Sequence, residues 1–256
     1  MRFRVGAFET FFHAYDLLYR VAGGIALGFF DAADLQDFNT RAYAKTRMYQ
    51  SADHNEQGLY DWEKACFERY FPKQGRILAI GVGGGREVLA LRRMGYTVSA
   101  FECNPVLVES ANALMRKHHL DEDIALGPKD ACPSVSGPFD GMLVGWGAYS
   151  HIFSSATRVQ LLRDVADILE PNAPILLSTP TRDPSVLYNR RLLTLANAIR
   201  HLRRQAPVQQ GDTFNSMYLH FFTQAELESE LDAGGFTPAF FSAHPYGHAV
   251  GRVRAR

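Results

Sequence analysis

The turn Gly81-Val82-Gly83-Gly84-Gly85 constrains this chain more than any other feature. It follows Arg76–Ile80, a short β-branched and apolar run, and precedes a helically spaced stretch over residues 87–94 that Gly95 stops. Strand, glycine turn and helix in that order put the turn at the carboxyl end of a strand, where open α/β sheets bind ligands. Glycines let the backbone come close to a ligand, and the helix N-terminus offers unpaired N–H groups.

The alternation continues beyond the turn. Residues 96–101 read as a second strand, and Asn104-Pro105 caps a helix running to about residue 118. Strands are expected near residues 124–126, 141–144 and 175–178, with a helix between the last two carrying Val159, Leu162, Val165, Ala166 and Leu169 on one face. Thr223 to Glu226 forms a capping box, and the helix it opens ends at Gly234-Gly235. Two consecutive strands, 236–242 and 248–253, predict a closing antiparallel hairpin. The expected fold class is therefore α/β, a doubly wound and mostly parallel sheet.

Before residue 74, aromatic and apolar groups such as Phe11, Phe12, Tyr15, Leu18 and Tyr19 recur at helical spacing and predict two or three helices. With 256 residues, one domain is expected: a helical cap (1–73), a cofactor-binding half (74–182), a basic helical insert (183–217) and a closing helix and strands (218–256).

Glu102 stands about 20 residues after the turn, at the end of the second strand, where a carboxylate accepts both hydroxyls of a ribose. Turn and carboxylate together point to an adenosine-type ligand. The dinucleotide pattern G-x-G-x-x-G fails, because Arg86 or Val88 occupies the place of its last glycine.

The spacing Gly81, Gly83, Gly85 instead resembles the G-x-G-x-G loop of class I S-adenosylmethionine-dependent methyltransferases. Phe101-Glu102-Cys103-Asn104-Pro105 is similar to that family's segment after the second strand, and Lys129-Asp130-Ala131 to the segment that flanks the adenine. Phe139 to Val144, Leu169 to Ala173 and His220 to Phe236 resemble its later motifs. The resemblance implies a methyltransferase-type Rossmann-like fold and S-adenosylmethionine as cofactor, with S-adenosylhomocysteine as product. It implies cofactor contacts from Gly81, Val82, Gly83, Gly85, Glu102, Cys103, Asn104, Asp130, Ala131, Gly145, Trp146 and Tyr49. One position departs: many members carry an acidic residue two places before the first glycine, where this chain has Ala79. That departure keeps open a non-catalytic cofactor-binding protein as the alternative.

The resemblance also places substrate-facing groups after the fourth strand, in the cap and near the closing segments. His151 is the first candidate for a general base, since histidine titrates near neutral pH; a capping or core histidine is the competing reading. His220 and Tyr149 are further candidates, and Tyr43, Tyr49, His54 and Tyr218 stand at substrate-facing places. His118-His119 beside Asp121 to Asp123 is an acidic helix end, and no metal is expected.

The insert carries Arg190, Arg191, Arg200, Arg203 and Arg204 interleaved with Leu192, Leu193, Leu195, Ala198, Ile199 and Leu202. Three readings stand: a solvated amphipathic helix, a lid over an anionic substrate, or a surface for a partner or membrane. Formal charge is zero, so no global field recruits nucleic acid. The most apolar stretch, residues 21–30, is half of the roughly 20 residues a span needs. Three cysteines without a CxxC pair read as reduced thiols, and no cleavage pattern follows Met-Arg-Phe-Arg, so a cytoplasmic location is expected. The expected partner is a small-molecule acceptor, methylated on oxygen, nitrogen or carbon, with a homodimer as an open arrangement.

Overall fold

A computed structural model describes residues 2–185 and 190–255, with side chains from residue 9 onward. Residues 186–189 of the expected insert lie outside the described residues. Among the described residues the cap comprises four α-helices rather than two or three, Arg2–Phe29 (α1), Ala32–Lys45 (α2), Ala52–Glu56 (α3) and Asp61–Tyr70 (α4), with a 3-10 turn at Arg47–Gln50. Asp31 and Asp34 close a capping box at the start of α2, and Glu63 reaches back to the Tyr60 N–H at the start of α4. These short polar brackets fix where α2 and α4 begin.

From residue 76 the order is Arg76–Ile80 (β1), Arg86–Arg93 (α5), Thr97–Glu102 (β2), Pro105–Lys117 (α6), Ala125–Leu126 (β3), Gly141–Val144 (β4), Ser155–Ala166 (α7) and Pro174–Thr179 (β5). Then come Arg190–Leu202 (α8), Asp212–Phe214 (β6), Tyr218–His220 (β7), Gln224–Ala233 (α9), Phe236–Ser242 (β8) and Gly247–Val253 (β9). Seven strands form one sheet in the order β3-β2-β1-β4-β5-β9-β8, parallel from β1 to β5 and antiparallel at β9 and β8. This is the expected doubly wound sheet with its closing hairpin.

The strand order reverses between β1 and β4, which opens a crevice at their carboxyl ends. Ile80 pairs with Phe101 on one side and Val144 on the other, so the turns after β1, β2 and β4 leave the sheet at the same level. All of β4 and β5 is buried, as strands covered on both faces must be. Apolar side chains of α4, α5 and α6 cover one face around Phe67, Leu89 and Met115, and those of α7 and α9 cover the other around Leu161, Leu162, Leu227 and Leu231.

The insert departs from its reading as helical to residue 217. After α8 the chain forms the two-stranded ladder β6–β7, which crosses that boundary. Three-residue strands are too short to display a period, so the pairing is invisible in the sequence. The apolar stretch of α1 packs on α8, and its glycines permit the approach. A Cβ on Gly23 would lie 2.4 Å from the Phe214 carbonyl oxygen, and one on Gly24 3.0 Å from Leu192 Cβ. Arg200 points inward, donating from Nη1 to the carbonyls of Leu27 (2.6 Å) and Phe30 (2.7 Å). By contrast Phe11, Phe12, Tyr15, Leu18 and Tyr19 are exposed, although their spacing is helical. Among the described residues no helix is long and apolar enough to cross a membrane.

A buried ion pair fastens α7 to α9. Arg158 Nε and Nη2 meet Glu230 at 2.9 and 2.6 Å, and the Tyr149 hydroxyl donates to Glu230 Oε2 at 2.8 Å. Removing one partner of such a pair strands a charge in the core. Glu230→Ala is expected to lower the free energy of unfolding by about 3–5 kcal/mol, read by urea denaturation at neutral pH.

Candidate active site

Gly81, Gly83 and Gly85 all adopt positive φ (+64°, +53° and +90°), a conformation that side chains disfavour. The turn is also crowded from two sides. A Cβ on Gly145 would lie 2.0 Å from the Gly81 carbonyl oxygen, and one on Gly84 would lie 1.9 Å from the Tyr49 carbonyl oxygen. Glycine at 145 therefore answers to the backbone of the turn, and glycine at 84 to the backbone of the cap. Gly85 faces Ala111 and Met115 of α6, which makes it a helix-packing position.

Arg86, which occupies the place of the missing third glycine, is buried and joins cap to turn. Nη1 and Nη2 grip both oxygens of Glu63 on α4 at 2.7 and 2.8 Å, Nη2 also reaches Glu87 at 2.7 Å, and Nη1 donates to the Gly58 carbonyl at 2.8 Å. Its guanidinium lies 4.0 Å over the Tyr60 ring.

Glu102 is held by two backbone donors, Gly83 N–H to Oε2 at 2.8 Å and Asn104 N–H to Oε1 at 2.9 Å. Burial lifts its carboxyl above the ordinary range against the pull of those amides. Asn104 caps α6 and donates to the Thr40 carbonyl of α2 at 3.0 Å. Burial, then the Glu102 charge, pushes the Cys103 thiol up to about 12, so it stays protonated. Asp130 accepts from Gln36 of α2, and burial lifts its carboxyl as well.

Across the cavity, His151 Nδ1 lies 2.9 Å from the Tyr218 carbonyl, an acceptor only, so Nδ1 carries the proton. Nε2 is left to accept from the Tyr43 hydroxyl at 2.6 Å. Asn39 also donates to the Tyr218 carbonyl, at 3.1 Å. Burial depresses the His151 imidazole to about 4, and burial, then Tyr49, raises the Tyr43 phenol.

Glu102, Cys103, Asn104 and Asp130 on one side and Tyr43 and His151 on the other line one cavity of about 1020 Å³, its open mouth included. Of the expected residues it brings together Tyr49, Gly81, Gly83, Glu102, Cys103, Asn104, Asp130, Ala131, Trp146 and His151. Val82 lines a smaller adjoining cavity of about 260 Å³. Gly85, Gly145, Tyr149 and His220 are not brought to the main wall. Tyr149 is fully buried on Glu230, and His220 is buried with Nδ1 at 2.6 Å from Asp212, itself bound by the Tyr218 hydroxyl. The arginines of α8 do not line the cavity either, so the reading of the insert as a lid finds no support in this geometry. Gln36, Asn39 and Thr40 line it without having been anticipated, alongside Tyr43. Their spacing was the available signal, since the four share one helical face of α2. Among the described residues no group of three metal-ligating side chains forms.

The sequence profile described as "Methyltransferase domain" matches residues 43–239. The chain belongs to the class I S-adenosylmethionine-dependent methyltransferase family. The methyltransferase is similar in fold to an S-adenosylmethionine-dependent methyltransferase of Methanosarcina mazei, at 17% identity and a TM-score of 0.60, over 78% of this chain and 100% of that one. A second similar structure is the Burkholderia thailandensis 1,6-didemethyltoxoflavin-N1-methyltransferase with bound 1,6-didemethyltoxoflavin and S-adenosylhomocysteine. It is 15% identical with a TM-score of 0.63, over 89% and 92% of the two chains. At these identities the likeness is one of fold. Protein-L-isoaspartate O-methyltransferase of Chlorobium phaeovibrioides is 38% identical over 76 residues, 30% of this chain, and the match spans about a third (33%) of that relative's length. S-adenosylmethionine is the methyltransferase's cofactor.

The depressed His151 imidazole makes a prediction for stability. Its folded value of about 4 lies below the ordinary 6.5, so the folded state binds fewer protons between those two values. The contribution is complete above about pH 6.5 and is lost as pH falls toward 4. Urea midpoints should therefore drop from pH 7 to pH 4.5 more steeply in the wild type than in His151→Gln.

Proposed function

We propose that this enzyme transfers the methyl group to a hydroxyl oxygen of a small, partly aromatic acceptor held between Tyr43, Tyr49 and Trp146. The observation that carries this reading is the Tyr43–His151 pair at 2.6 Å on the cavity wall. The cofactor fits the residues opposite. A Cβ on Gly83 would have only the Tyr49 ring within 4 Å, so the turn offers an open cradle, and Glu102 presents a fixed carboxylate beside it for the ribose hydroxyls. Asp130 and Ala131 take the adenine edge. When bound, S-adenosylmethionine supplies an activated methyl group.

The chain then has to align the acceptor, exclude water and receive one proton. Tyr43 accepts the hydroxyl proton as its own passes to His151 Nε2, and the Tyr218 carbonyl keeps Nδ1 protonated throughout. A base as weak as His151 suits an oxygen acceptor, because an alkylated hydroxyl is a far stronger acid than imidazolium. An alkylated amine is a weaker acid and would keep its proton, so the same base favours oxygen over nitrogen. We read cap, sheet and insert as one domain, supported by the buried contacts of Arg86 and Arg200 that cross between them.

The test is turnover on a panel of phenols, alcohols, carboxylic acids and amines with labelled cofactor. His151→Asn and Tyr43→Phe should each lower kcat on the hydroxyl acceptor by about 10²- to 10⁴-fold while leaving S-adenosylhomocysteine binding intact. Methylation of amines alone, or unchanged rates in His151→Asn, would overturn the reading. Glu102→Gln should instead weaken S-adenosylhomocysteine binding by roughly tenfold to a hundredfold in a calorimetric titration.

A further inference from the structure

The smaller cavity beside the glycine turn holds an unbalanced set of polar groups. It is lined by Asn55, Arg86, Glu87 and Trp146 together with Tyr49, His54 and the turn itself. Two of its side-chain atoms are buried without a hydrogen-bond partner, the acceptor Asn55 Oδ1 and the donor Trp146 Nε1. Native structures leave few such atoms, and two of opposite character in one cavity mark the outline of a ligand with both donors and acceptors.

The charge is unbalanced as well. Arg86 is the cation of the cluster, and its bidentate grip satisfies Glu63. Glu87 is the second buried carboxylate, and its described bonds, from Arg86 Nη2 at 2.7 Å and the Trp146 backbone N–H at 3.2 Å, both fall on Oε1. One guanidinium against two carboxylates leaves a net negative charge away from water, which a cationic ligand group would neutralise. Ala79, meanwhile, is sealed in the sheet core and offers no polar atom to the turn.

We propose that Glu87 and Asn55 bind the ammonium group of the cofactor's amino-acid end and that the Trp146 indole N–H binds its carboxylate. The inference rests on the cofactor assigned above. It moves the acidic function from the strand before the turn to the first helical residues after it, and makes one cap residue, Asn55, part of the cofactor site. Cap closure and cofactor recognition are then one event: Asn55 donates to the Tyr49 carbonyl at 2.9 Å, and that carbonyl lies over Gly84. A ligand with the ammonium locks the cap segment on the turn.

The experiment compares two ligands by calorimetry, S-adenosylhomocysteine and 5′-methylthioadenosine, which keeps the adenosine and thioether but lacks the amino-acid end. Glu87→Gln is expected to weaken S-adenosylhomocysteine by about tenfold or more while 5′-methylthioadenosine changes by less than about twofold. Trp146→Phe keeps the ring and removes only the N–H, so it should show the same selectivity, about fivefold, even if Glu87→Gln disturbs the Arg86 cluster. Parallel weakening of both ligands would assign Glu87 a purely structural role, and unchanged S-adenosylhomocysteine affinity in both variants would overturn the proposal outright. Failure of the wild type to bind either ligand would strike at the cofactor assignment instead.

Discussion

The Arg86 guanidinium is the contact on which the arrangement of this enzyme turns. It leaves the first residue of α5, reaches Glu63 on α4 and the Gly58 carbonyl in the cap, and lies against the Tyr60 ring. Burying three charges is costly in itself, and a bidentate fork whose two terminal nitrogens make four directed bonds offsets that cost only in one geometry. The cluster is therefore better understood as a device that fixes position than as a source of net stability. What it positions is the cap: with α4 pinned to the start of α5, the segment that leads into α4 carries Tyr49 and Asn55 over the glycine turn.

The main cavity follows from that placement. α2 spans the crevice at the switch point and lowers Gln36, Asn39, Thr40 and Tyr43 onto it. The sheet supplies Glu102, and the segment after β4 supplies Trp146 and His151. The two walls differ chemically. On the glycine-turn side a carboxylate is held by backbone amides, and on the opposite side a neutral imidazole is held by a backbone carbonyl. Both groups are oriented by main chain, which has little freedom to relax, so each presents a fixed face to the cavity.

Much of this was legible in the residues. The Asn104 cap and the Thr223 capping box depend on neighbours a few positions away, and each forms where its local chemistry demands, while Gly81 to Gly85 and Glu102 announce themselves by residue type and spacing. The buried runs of β4 and β5 likewise declare themselves by composition. Other elements could not be read. Tyr149 and His220 belong to the right residue types near the right strands, yet Glu230 and Asp212 draw them into the core. Arg200 resembles its exposed neighbours in sequence and differs because the carbonyls of Leu27, Phe30 and Ala206 lie within its reach. The β6–β7 ladder is set by partners across a tight hairpin rather than by any period.

The glycine turn with its carboxylate, the strand-helix alternation and hence the methyltransferase fold were determined by the sequence alone, because turns, caps and periodicity are short-range properties. Which polar groups face the cavity was decided only by tertiary structure. Tyr43 and His151 meet across 108 positions of chain, and Arg86 and Glu63 across 23. Such pairings depend on how the cap folds back over the sheet, and that path is fixed by buried charge and packing between elements with no local trace. The arginine that spoiled one nucleotide pattern in the sequence is, in the folded chain, what fastens the cap to the glycine turn.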